Sequence, residues 1–444
     1  MSEGRYREGI ATHRLGAAEY RENLSDLHPP FDRHEAQVEA DRCYFCHDAP
    51  CMNACPTEID IPMFIRQIST DNPLGSAKTI FEQNIFGGMC ARVCPTETLC
   101  EQVCVREVAE GKPVRIGLLQ RYATDIAMQA GAQFFERAAP TGRRIAVVGA
   151  GPAGLACAHR LAMHGHEVVV FEARPKAGGL NEYGIAAYKS VDDFAQAEVD
   201  YITAIGGIEI RYEQEIGHHF TVGALVLKYD AVFLAMGLGG VNSLGGADAQ
   251  ASGSVTGSVD AIEWIGALRQ AADPGAVPVG RRVVVVGGGM TAIDAAVQAR
   301  ALGADEVTIC YRGPRERMKA SGYEQEVARS RGVVLRFEMQ PVRILAEGGS
   351  VTGVEFTRHG ETVTIPCDQV MKAIGQTFVS HDLGAAAEKI DLDGGRIAVD
   401  AEGRTSMARV WAGGDCVNGG EDLTVAAVAQ GRDAAESINR ALAG

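Results

Sequence analysis

Eight of the chain's 12 cysteines are crowded between Cys43 and Cys104. Thiolates at short spacings can converge on one inorganic centre. In a reducing compartment such crowding favours metal ligation over disulfides. The crowded cysteines form two sets, which are Cys43, Cys46, Cys51 and Cys55, then Cys90, Cys94, Cys100 and Cys104.

The spacing within the two sets favours iron–sulfur clusters. Cys55 and Cys94 each precede a proline, and in ferredoxins the cysteine before a proline ligates the other cluster of a pair. The sets therefore predict two interlocked clusters rather than two independent ones. The alternatives are two zinc sites of four cysteines each, or plain buried thiols. Zinc pairs usually have C-x2-C on both sides of a longer gap, and here only Cys43 and Cys46 have that spacing.

A glycine-rich turn after the apolar run at residues 145–148 indicates a second kind of chemistry. In a G-x-G-x-x-G loop the first glycine makes the turn, the second lets the backbone approach a pyrophosphate, and the third lets helix and strand pack. Glu172 ends the next apolar run, where an acid can bond ribose hydroxyls. These features predict a dinucleotide site. The loop includes Gly149, Gly151, Ala153 and Gly154.

A second glycine-rich turn follows the apolar run at residues 282–286. At the end of the next run stands Arg312 rather than an acid. A guanidinium can pair with a 2′-phosphate, so we expect an NAD(P)H site with NADPH favoured over NADH. The alternative is that Arg312 is a solvated surface arginine. The turn is a G-x-G-x-x-A variant that includes Gly287, Gly289, Met290 and Thr291.

Near the C-terminus, an apolar run at residues 410–412 leads into Gly414 and Asp415. A carboxylate after a strand and close to glycines can bond the ribityl hydroxyls of a flavin. The helix predicted over residues 423–442 begins near Thr424, and its N-terminus can face the flavin's pyrimidine ring. This segment favours FAD as the dinucleotide of the first loop.

The elements that must position these residues change along the chain. Residues 1–140 are predicted to form a helical two-cluster iron–sulfur domain, with helical spacing over 63–69 and 118–129. Strand–turn–helix–strand patterns then occur twice, which predicts two Rossmann-like α/β nucleotide-binding domains, one inserted in the other. The predicted boundaries are 141–275 for the first part of the FAD domain, 276–371 for the NAD(P)H domain and 372–444 for the second part of the FAD domain.

Composition excludes several classes of protein. The chain has 444 residues, 46% of them hydrophobic, and a formal net charge of −15. That charge argues against nucleic acid as a partner, because binding phosphate backbones needs a basic face. No run approaches the roughly 20 apolar residues needed to cross a bilayer, and residues 1–40 lack the apolar core of a signal peptide. We therefore expect a cytoplasmic protein with no membrane partner.

With these motifs placed, the chain resembles the electron-input half of dihydropyrimidine dehydrogenase, found in bacteria as a separate FAD/iron–sulfur subunit. It also resembles the related glutamate synthase small subunit. Both share the cysteine spacings, the paired glycine loops and the terminal Gly-Gly-Asp. The stretch between Cys46 and Cys51, His-Asp-Ala-Pro, is closer to the pyrimidine enzyme.

The resemblance implies a specific set of ligands for two [4Fe-4S] clusters. One cluster would be held by Cys43, Cys46, Cys51 and Cys104. The other would be held by Cys55, Cys94, Cys100 and an unusual Gln120, with Cys90 as a bystander. Spacing alone predicts eight cysteine ligands, including Cys90. The resemblance instead implies seven cysteine ligands and Gln120.

The resemblance also implies a flavin-side segment that contains Gly179 and Leu180. The chain departs from the family pattern just beyond it, because Ala-Ala-Tyr-Lys at residues 186–189 replaces the usual Pro-x-Phe-Arg/Lys. This stretch is expected beside the flavin. The departure argues against a glutamate synthase subunit more than against a pyrimidine one.

The function implied is hydride transfer from NADPH or NADH to FAD, followed by single-electron transfer through the clusters. The acceptor would be a partner subunit with FMN and iron–sulfur clusters that reduces uracil or thymine, in a hetero-oligomer. No residue of this chain is expected to act as a catalytic acid, base or nucleophile, because the cofactors do the chemistry. The alternatives are a glutamate synthase small subunit, a ferredoxin:NADP-type oxidoreductase subunit, or a scaffold that binds FAD without turnover.

Overall fold

A computed structural model describes residues 4, 6–244, 255–380, 383 and 389–443 of the chain. Its helices are α1 (Ala17–Asn23), α2 (Arg33–Ala40), α3 (Pro50–Asn53), α4 (Ile61–Ser69), α5 (Pro73–Gln83), α6 (Gly87–Val93), α7 (Val105–Glu110), α8 (Ile116–Gln129), α9 (Pro152–Met163), α10 (Leu180–Tyr183), α11 (Phe194–Thr203), α12 (Val222–Lys228), α13 (Ala261–Gln270), α14 (Met290–Ala301), α15 (Gly322–Ser330) and α16 (Thr424–Ala443).

The strands are β1 (Ile10–Ala11), β2 (Arg144–Val148), β3 (Glu167–Phe171), β4 (Ile208–Arg211), β5 (Ala231–Leu234), β6 (Gly240–Val241), β7 (Ser258–Asp260), β8 (Val279–Gly280), β9 (Arg282–Gly287), β10 (Glu306–Cys310), β11 (Val334–Arg336), β12 (Gln340–Glu347), β13 (Ser350–Arg358), β14 (Glu361–Pro366), β15 (Gln369–Ala373), β16 (Gln376–Thr377), β17 (Leu392–Asp393), β18 (Arg396–Ile397) and β19 (Val410–Ala412). The chain divides into two compact units, a larger unit of His28–Glu182, Asp192–Gly239 and Phe378–Gly444, and a smaller unit of Met1–Leu27, Tyr183–Val191 and Gly240–Thr377.

The larger unit contains a five-stranded parallel sheet of order β19-β5-β2-β3-β4. Its central strands are uninterrupted apolar runs, as expected for parallel strands buried on both faces. In register, Val148 at the end of β2 lies between Phe171 of β3 and Leu234 of β5. The carboxyl ends of these strands therefore meet at one edge, where ligands bind in open α/β sheets.

The same unit contains the helical part of the chain, from α2 to α8. In α4 the buried residues recur at helical spacing: Ile61, Phe64, Ile65 and Ile68. The side chain of Asp60 caps this helix by accepting from the backbone N–H of Met63, which satisfies one of the free donors at a helix start. The helices predicted over residues 63–69 and 118–129 are confirmed as α4 and α8, each beginning two residues earlier.

The smaller unit contains a second five-stranded parallel sheet, of order β11-β10-β9-β15-β7. A separate antiparallel sheet of β12, β13 and β14 packs its apolar side chains beside it. Near the N-terminus, β1 pairs with β8. The predicted strand–turn–helix–strand unit at residues 282–311 is confirmed by β9, α14 and β10.

The smaller sheet is inserted in the larger one along the sequence. β5 and β19 are neighbours in the larger sheet, yet β7 to β15 lie between them in the chain. This confirms the predicted fold class of a helical segment followed by two Rossmann-like domains, one inserted in the other. The boundaries at 140, 275 and 371 remain predictions. Within the described residues, no helix is long and apolar enough to cross a membrane.

Candidate functional site: two cysteine groups and two dinucleotide loops

Four of the predicted cluster cysteines line a single cleft in the larger unit. The cleft has an empty volume of about 390 Å³, including space open to solvent. Its other walls are mostly apolar. The cleft brings together Cys43, Cys46, Cys51 and Cys104, with Ile61, Ile65, Val114 and Ile116 among the lining residues.

The thiols of this first cysteine group are held where negative charge is unfavourable. Burial raises the pKa of Cys43, and the neighbouring thiols of Cys46 and Cys104 raise it further. Burial, together with Cys43 and Cys104, raises the pKa of Cys51 to about 12. Thiolates this close in apolar surroundings need a cationic centre to stabilise them. The arrangement therefore fits a metal cluster. Without a cluster, the raised pKa values would keep these thiols protonated.

The second cysteine group lies around the end of α6, where Cys94 is the C-cap residue. Its pKa is raised well above the ordinary value by a hydrogen bond with Cys90, by burial, and by the nearby thiols of Cys55 and Cys100. Burial likewise raises the pKa of Cys100, with Glu101 and Cys55 contributing. The structure thus brings Cys55, Cys94 and Cys100 together, as the resemblance implied, although Cys55 belongs to the first sequence set.

Gln120 lies on α8 and is buried. Its Nε2 donates a hydrogen bond of 2.7 Å to the carbonyl of Gly87, in the first turn of α6. With the amide nitrogen held in this way, its oxygen is the atom left to act as a ligand. Cys90, the predicted bystander, contacts the thiol of Cys94. That Gln120 rather than Cys90 completes the second cluster remains a prediction.

Within the described ranges, no three His, Cys, Asp or Glu side chains are placed to hold a single metal ion. The fit that the cysteines offer is of another kind, with four thiols around one mostly apolar cleft, and with Cys55, Cys94 and Cys100 close to one another. A cluster of several iron and sulfide atoms matches that donor set.

The first dinucleotide loop connects β2 to α9. Gly149 has φ +100°, and a Cβ there would lie 2.2 Å from the carbonyl oxygen of Ala235. A Cβ on Gly154 would lie 1.9 Å from the carbonyl oxygen of Gly149. At Gly151, by contrast, the nearest atom to a Cβ would be 3.8 Å away. The first and third glycines are thus required by packing, and the middle one faces the open space that a pyrophosphate needs.

Glu172 follows β3 and lies directly against this loop. Its carboxylate accepts hydrogen bonds of 2.8 Å from the backbone N–H groups of Ala150 and Arg174. Burial raises the pKa of Glu172, and the two N–H groups oppose that shift. The side chain is therefore fixed beside the loop, where an acid can bond a ribose.

The remaining flavin-side glycines approach the same loop. A Cβ on Gly179 would lie 2.8 Å from the Cα of Gly151. A Cβ on Gly414 would lie 3.1 Å from that of Ala153. The backbone N–H of Gly414 donates a 2.7 Å hydrogen bond to Oε1 of Gln430, within α16. Gln430 was not predicted from the sequence, since a glutamine inside a helix carries no motif of its own.

Two further predicted residues of this site each begin a helix, and both lie in the larger unit. Leu180 begins α10, and Thr424 begins α16. The hydroxyl of Thr424 donates to Oδ1 of Asn181 at 2.8 Å, which joins the two helix starts. Burial, with a smaller contribution from Asp422, raises the pKa of Asp415 to about 6. A buried carboxyl group with a raised pKa can form a hydrogen bond with a polar group of a ligand.

The second dinucleotide loop connects β9 to α14 in the smaller unit. Gly287 has φ +155°, and a Cβ there would lie 2.1 Å from the carbonyl oxygen of Ala373. No described atom lies within 4 Å of a Cβ placed on Gly289. Met290 and Thr291 form the first turn of α14. This loop therefore repeats the geometry of the first one.

Cationic side chains follow the end of β10. Tyr311 packs under the loop, where a Cβ on Gly288 would lie 2.3 Å from its ring. Its hydroxyl donates to the carbonyl of Arg317 at 2.6 Å, which closes the turn. Arg312 is exposed on this turn, and so are Arg315 and Arg317. The structure thus gathers three guanidinium groups on one exposed turn.

The stretch at residues 186–189, expected beside the flavin, lies in the smaller unit. Nζ of Lys189 bonds carboxylate oxygens of Asp294 and Glu324, each at 2.8 Å. The hydroxyl of Tyr188 donates to Asp294 at 3.2 Å. Asp294 is a residue of α14, so this buried network anchors the stretch to the helix that follows the second loop. Sequence reasoning missed Asp294 and Glu324 because neither belongs to a motif.

Comparison with known families gives two matches along the chain. Residues 143–431 match the pyridine nucleotide-disulphide oxidoreductase family. Residues 20–132 match the family described as dihydropyrimidine dehydrogenase domain II, 4Fe-4S cluster. The second match covers both cysteine groups and Gln120, and the first covers both dinucleotide loops.

Individual relatives match over nearly the whole chain. The NAD-dependent dihydropyrimidine dehydrogenase subunit PreT of Escherichia coli is 35% identical, over 95% of this chain and 98% of its own. The glutamate synthase [NADPH] small chain of the same organism is 33% identical, over 93% of each chain. Among solved structures, a thioredoxin reductase from T. acidophilum matches 68% of this chain and all of its own, with a TM-score of 0.54 and 22% identity. That last likeness concerns the fold alone.

Proposed function

The chain belongs to the pyridine nucleotide-disulphide oxidoreductase family, and from that membership we propose that it is the electron-input subunit of a dihydropyrimidine dehydrogenase. It is an NAD(P)H-dependent oxidoreductase with FAD and 4Fe-4S cofactors. When bound, the flavin accepts hydride from NAD(P)H and the clusters carry its electrons one at a time. The partner would be an FMN/iron–sulfur subunit that reduces uracil or thymine, in a hetero-oligomer.

In this proposal the residues of the larger unit hold the flavin. The open backbone at Gly151 and the start of α9 bind the pyrophosphate. Glu172 would bond the ribose, Asp415 would bond the ribityl chain, and the start of α16 at Thr424 would lie on the side of the pyrimidine ring. Gly149, Ala153, Gly154, Gly179, Leu180 and Gly414 shape the surrounding backbone.

The smaller unit would bind the nicotinamide nucleotide. Gly287 and Gly289 let the pyrophosphate approach, and the start of α14, with Met290 and Thr291, supplies backbone N–H groups. Arg312 pairs with a 2′-phosphate, which favours NADPH. Of the two relatives, one is named for NAD and the other for NADPH, so the exposed guanidinium of Arg312 decides our choice.

The cysteine groups would hold the two clusters, with Cys43, Cys46, Cys51 and Cys104 around one, and Cys55, Cys94, Cys100 and Gln120 around the other. The cytoplasm, where we place the protein, keeps such thiols reduced and available for iron. No residue is needed as a catalytic acid, base or nucleophile.

One observation carries the proposal: the flavin loop and both cysteine groups lie in the same unit. Their elements are bonded together, since Arg432 of α16 donates to the carbonyls of Thr57, at 2.8 Å, and Gln83, at 3.1 Å. Thr57 lies two residues after Cys55. A flavin on this sheet would therefore share a single unit with both inorganic centres, as electron transfer between them requires.

The test is anaerobic reduction followed by reconstitution. The purified holoprotein should contain FAD and two iron–sulfur clusters, and NADPH should bleach its flavin and reduce the clusters. Mixed with an FMN-containing pyrimidine-reducing partner, it should support uracil-dependent NADPH oxidation. Tight uracil binding by this chain alone would contradict the proposal, because we place the pyrimidine site on the partner.

A glutamate synthase small subunit is the second candidate, because that relative is nearly as similar. It predicts glutamine-dependent NADPH oxidation with a glutaminase-containing partner and no response to uracil. A ferredoxin:NADP-type subunit would instead couple to another flavoprotein. A scaffold that binds FAD without turnover would show no dye reduction by NADPH or NADH.

A further inference from the structure

A buried glutamate, Glu198, joins the flavin part of the larger unit to the helix that leads to Cys94. It lies on α11, and its relative exposure is 0%. Oε1 accepts a hydrogen bond of 2.9 Å from the backbone N–H of Met89 in α6. Oε2 is also buried and finds no hydrogen-bond partner among the described residues. A carboxyl group in this setting is strongly biased towards its protonated form.

The close approach of α11 to α6 depends on Gly88. A Cβ at this position would lie 2.5 Å from Cζ of Phe194 and 2.9 Å from Oε1 of Glu198. From the same helix as Gly88, Arg92 places its guanidinium 3.4 Å from the centre of the Phe194 ring, which is a favourable cation–π distance. Glu198 and Phe194 therefore contact α6 along its length, from the first turn to Arg92.

Glu198 is connected to the second cysteine group through the backbone of α6. This helix begins at Gly87, whose carbonyl accepts from Gln120, and is capped at its other end by Cys94. Glu198 and Gln120 thus bond neighbouring backbone groups of one helical turn. The hydrogen bond of Glu198 goes to Met89, which is not a predicted ligand.

The groups around Glu198 form a buried network of charge. Arg92 bonds Asp125 at 2.8 Å, and Arg121 bonds the same carboxylate at 3.3 Å. These three residues together carry one positive charge, and an ionised Glu198 would make the network neutral. Tyr201 lies on the same helix as Glu198 and also interacts with it.

The other packed helix, α9, brings no further charge that titrates near neutral pH. Burial lowers the pKa of its His159 to about 3, so that ring stays neutral. Burial raises the pKa of Glu198 to about 8, with Met89 and Arg92 opposing the shift. The carboxyl can therefore exchange a proton at mildly alkaline pH.

We propose that ionised Glu198 takes up one proton from water at Oε2 when one electron is added to the iron–sulfur centre held by Cys55, Cys94 and Cys100, and releases it when the electron leaves. The electron is supplied by reduced flavin, so the inference rests on the proposed function. One negative and one positive charge arrive together, and the buried network gains no net charge. Glu198 acts here as a positioning residue that also balances charge.

The experiment is an EPR-monitored redox titration of the intact holoprotein at several pH values between about 6 and 10. Below about pH 8 the midpoint potential of the second cluster should not change, because Glu198 already holds its proton. Above about pH 8, each further pH unit lowers the proton concentration tenfold. For a one-electron couple that takes up one proton, this lowers the midpoint potential of the second cluster by about 59 mV. The first cluster should show no such slope.

Glu198→Gln isolates the charge from the packing, because the amide oxygen can still accept from Met89. In this variant the second cluster should have one potential at every pH. Asp200→Asn is the matched control, since it removes the same charge from the exposed side of α11 and should behave like the unchanged protein. Redox-difference infrared spectra should show a carboxylic-acid band on reduction above pH 8, absent in Glu198→Gln.

A flat potential across the range in the unchanged protein, or a slope that persists in Glu198→Gln, would overturn the inference while leaving the proposed function intact. A purely structural role for Glu198 predicts flat profiles in both proteins. Absence of two iron–sulfur signals from the protein would instead overturn the proposed function, and the inference with it.

Discussion

The two dinucleotide loops share one backbone design and differ in the side chain placed after the second strand. In each, the first glycine has positive φ and lies against a carbonyl of a neighbouring strand, Gly149 against Ala235 and Gly287 against Ala373. The middle glycine of each faces open space. These shared features provide for a pyrophosphate, which both nucleotides contain.

The difference is at the strand ends. Glu172 is buried and bonded to two backbone N–H groups, so its position is set before any ligand binds. Arg312 is exposed on a turn with other arginines. A preorganised, buried acid suits a cofactor that stays bound, and an exposed cation suits a substrate that must enter and leave. The same scaffold can thus serve a resident group and an exchanging one.

The largest effect on cofactor binding should come from substituting alanine for the first glycine of either loop. Gly149→Ala places a Cβ on the carbonyl of Ala235 in a left-handed conformation that alone costs about 1–2 kcal/mol, and we expect loss of FAD. Gly287→Ala carries the same clash against Ala373, and we expect retained FAD that NADPH no longer reduces. Flavin content and stopped-flow bleaching measure the two outcomes.

Gly206→Ala is the control for these variants, because it has φ +81° with no described atom within 4 Å of the added Cβ. It should suffer the conformational strain and keep both activities. If Gly287→Ala lost its FAD while Gly149→Ala kept it, the assignment of the loops would be reversed.

Glu172→Ala should produce the next largest effect. It removes a buried acceptor from two backbone donors and from the ribose, and bonds to charged groups contribute about 1.5–3 kcal/mol. We therefore expect the dissociation constant for FAD to rise by about 10- to 100-fold. Release of flavin fluorescence on dilution measures it.

Glu167→Ala, at the exposed start of the same strand, should leave FAD affinity unchanged. If Glu172→Ala also left the affinity for FAD unchanged, the role of Glu172 would be limited to stabilising the loop.

Arg312→Ala tests the other side of the comparison. Loss of a single exposed contact to a 2′-phosphate should lower kcat/KM for NADPH by about tenfold, which is about 1.4 kcal/mol. The value for NADH should stay the same, because NADH lacks that phosphate. Arg329→Ala, on the partly exposed side of α15, is the control. Equal losses with both nucleotides would contradict a role in choosing between them.

Much of this site could be predicted because its chemistry is local in sequence. The glycine loops and Glu172 each follow from one strand and the turn after it, and the cysteines occur at short spacings. The apolar run before Glu172 is the observed strand β3. Glu198 and Gln430 could not be found in this way. Each acts on a residue outside its own element, Met89 and Gly414 respectively, and neither pairing belongs to a recognisable motif.

The placement of residues 186–189 shows a different limit. The resemblance predicts that they lie beside the flavin, and this stays a prediction. Nothing in the sequence predicts their contacts with α14 and α15 of the smaller unit. Which unit a connecting segment joins depends on buried partners such as Asp294. Those partners lie far along the chain and carry no motif.

The smallest effect concerns Asp415, where ligand binding and stability are expected to oppose each other. Burial raises the pKa of Asp415 to about 6 from the ordinary 3.8. In the flavin-free protein the folded state therefore holds this proton more tightly than the unfolded one. Its ionisation begins to reduce stability as the pH rises above about 4, and the full loss is reached above about 6.

Asp415→Asn should therefore stabilise the flavin-free protein at pH 7.5 and have no effect near pH 4. A shift of about two units corresponds to at most about 3 kcal/mol, and we expect about 1 kcal/mol because the carboxyl is not fully buried. Urea unfolding at the two pH values measures it. The same variant should bind FAD less tightly, since an amide is a weaker acceptor for ribityl hydroxyls. If the stability gained by Asp415→Asn were no larger at pH 7.5 than at pH 4, this carboxyl would already have its hydrogen-bond partners without the flavin. The flavin site would then be as preorganised at Asp415 as it is at Glu172.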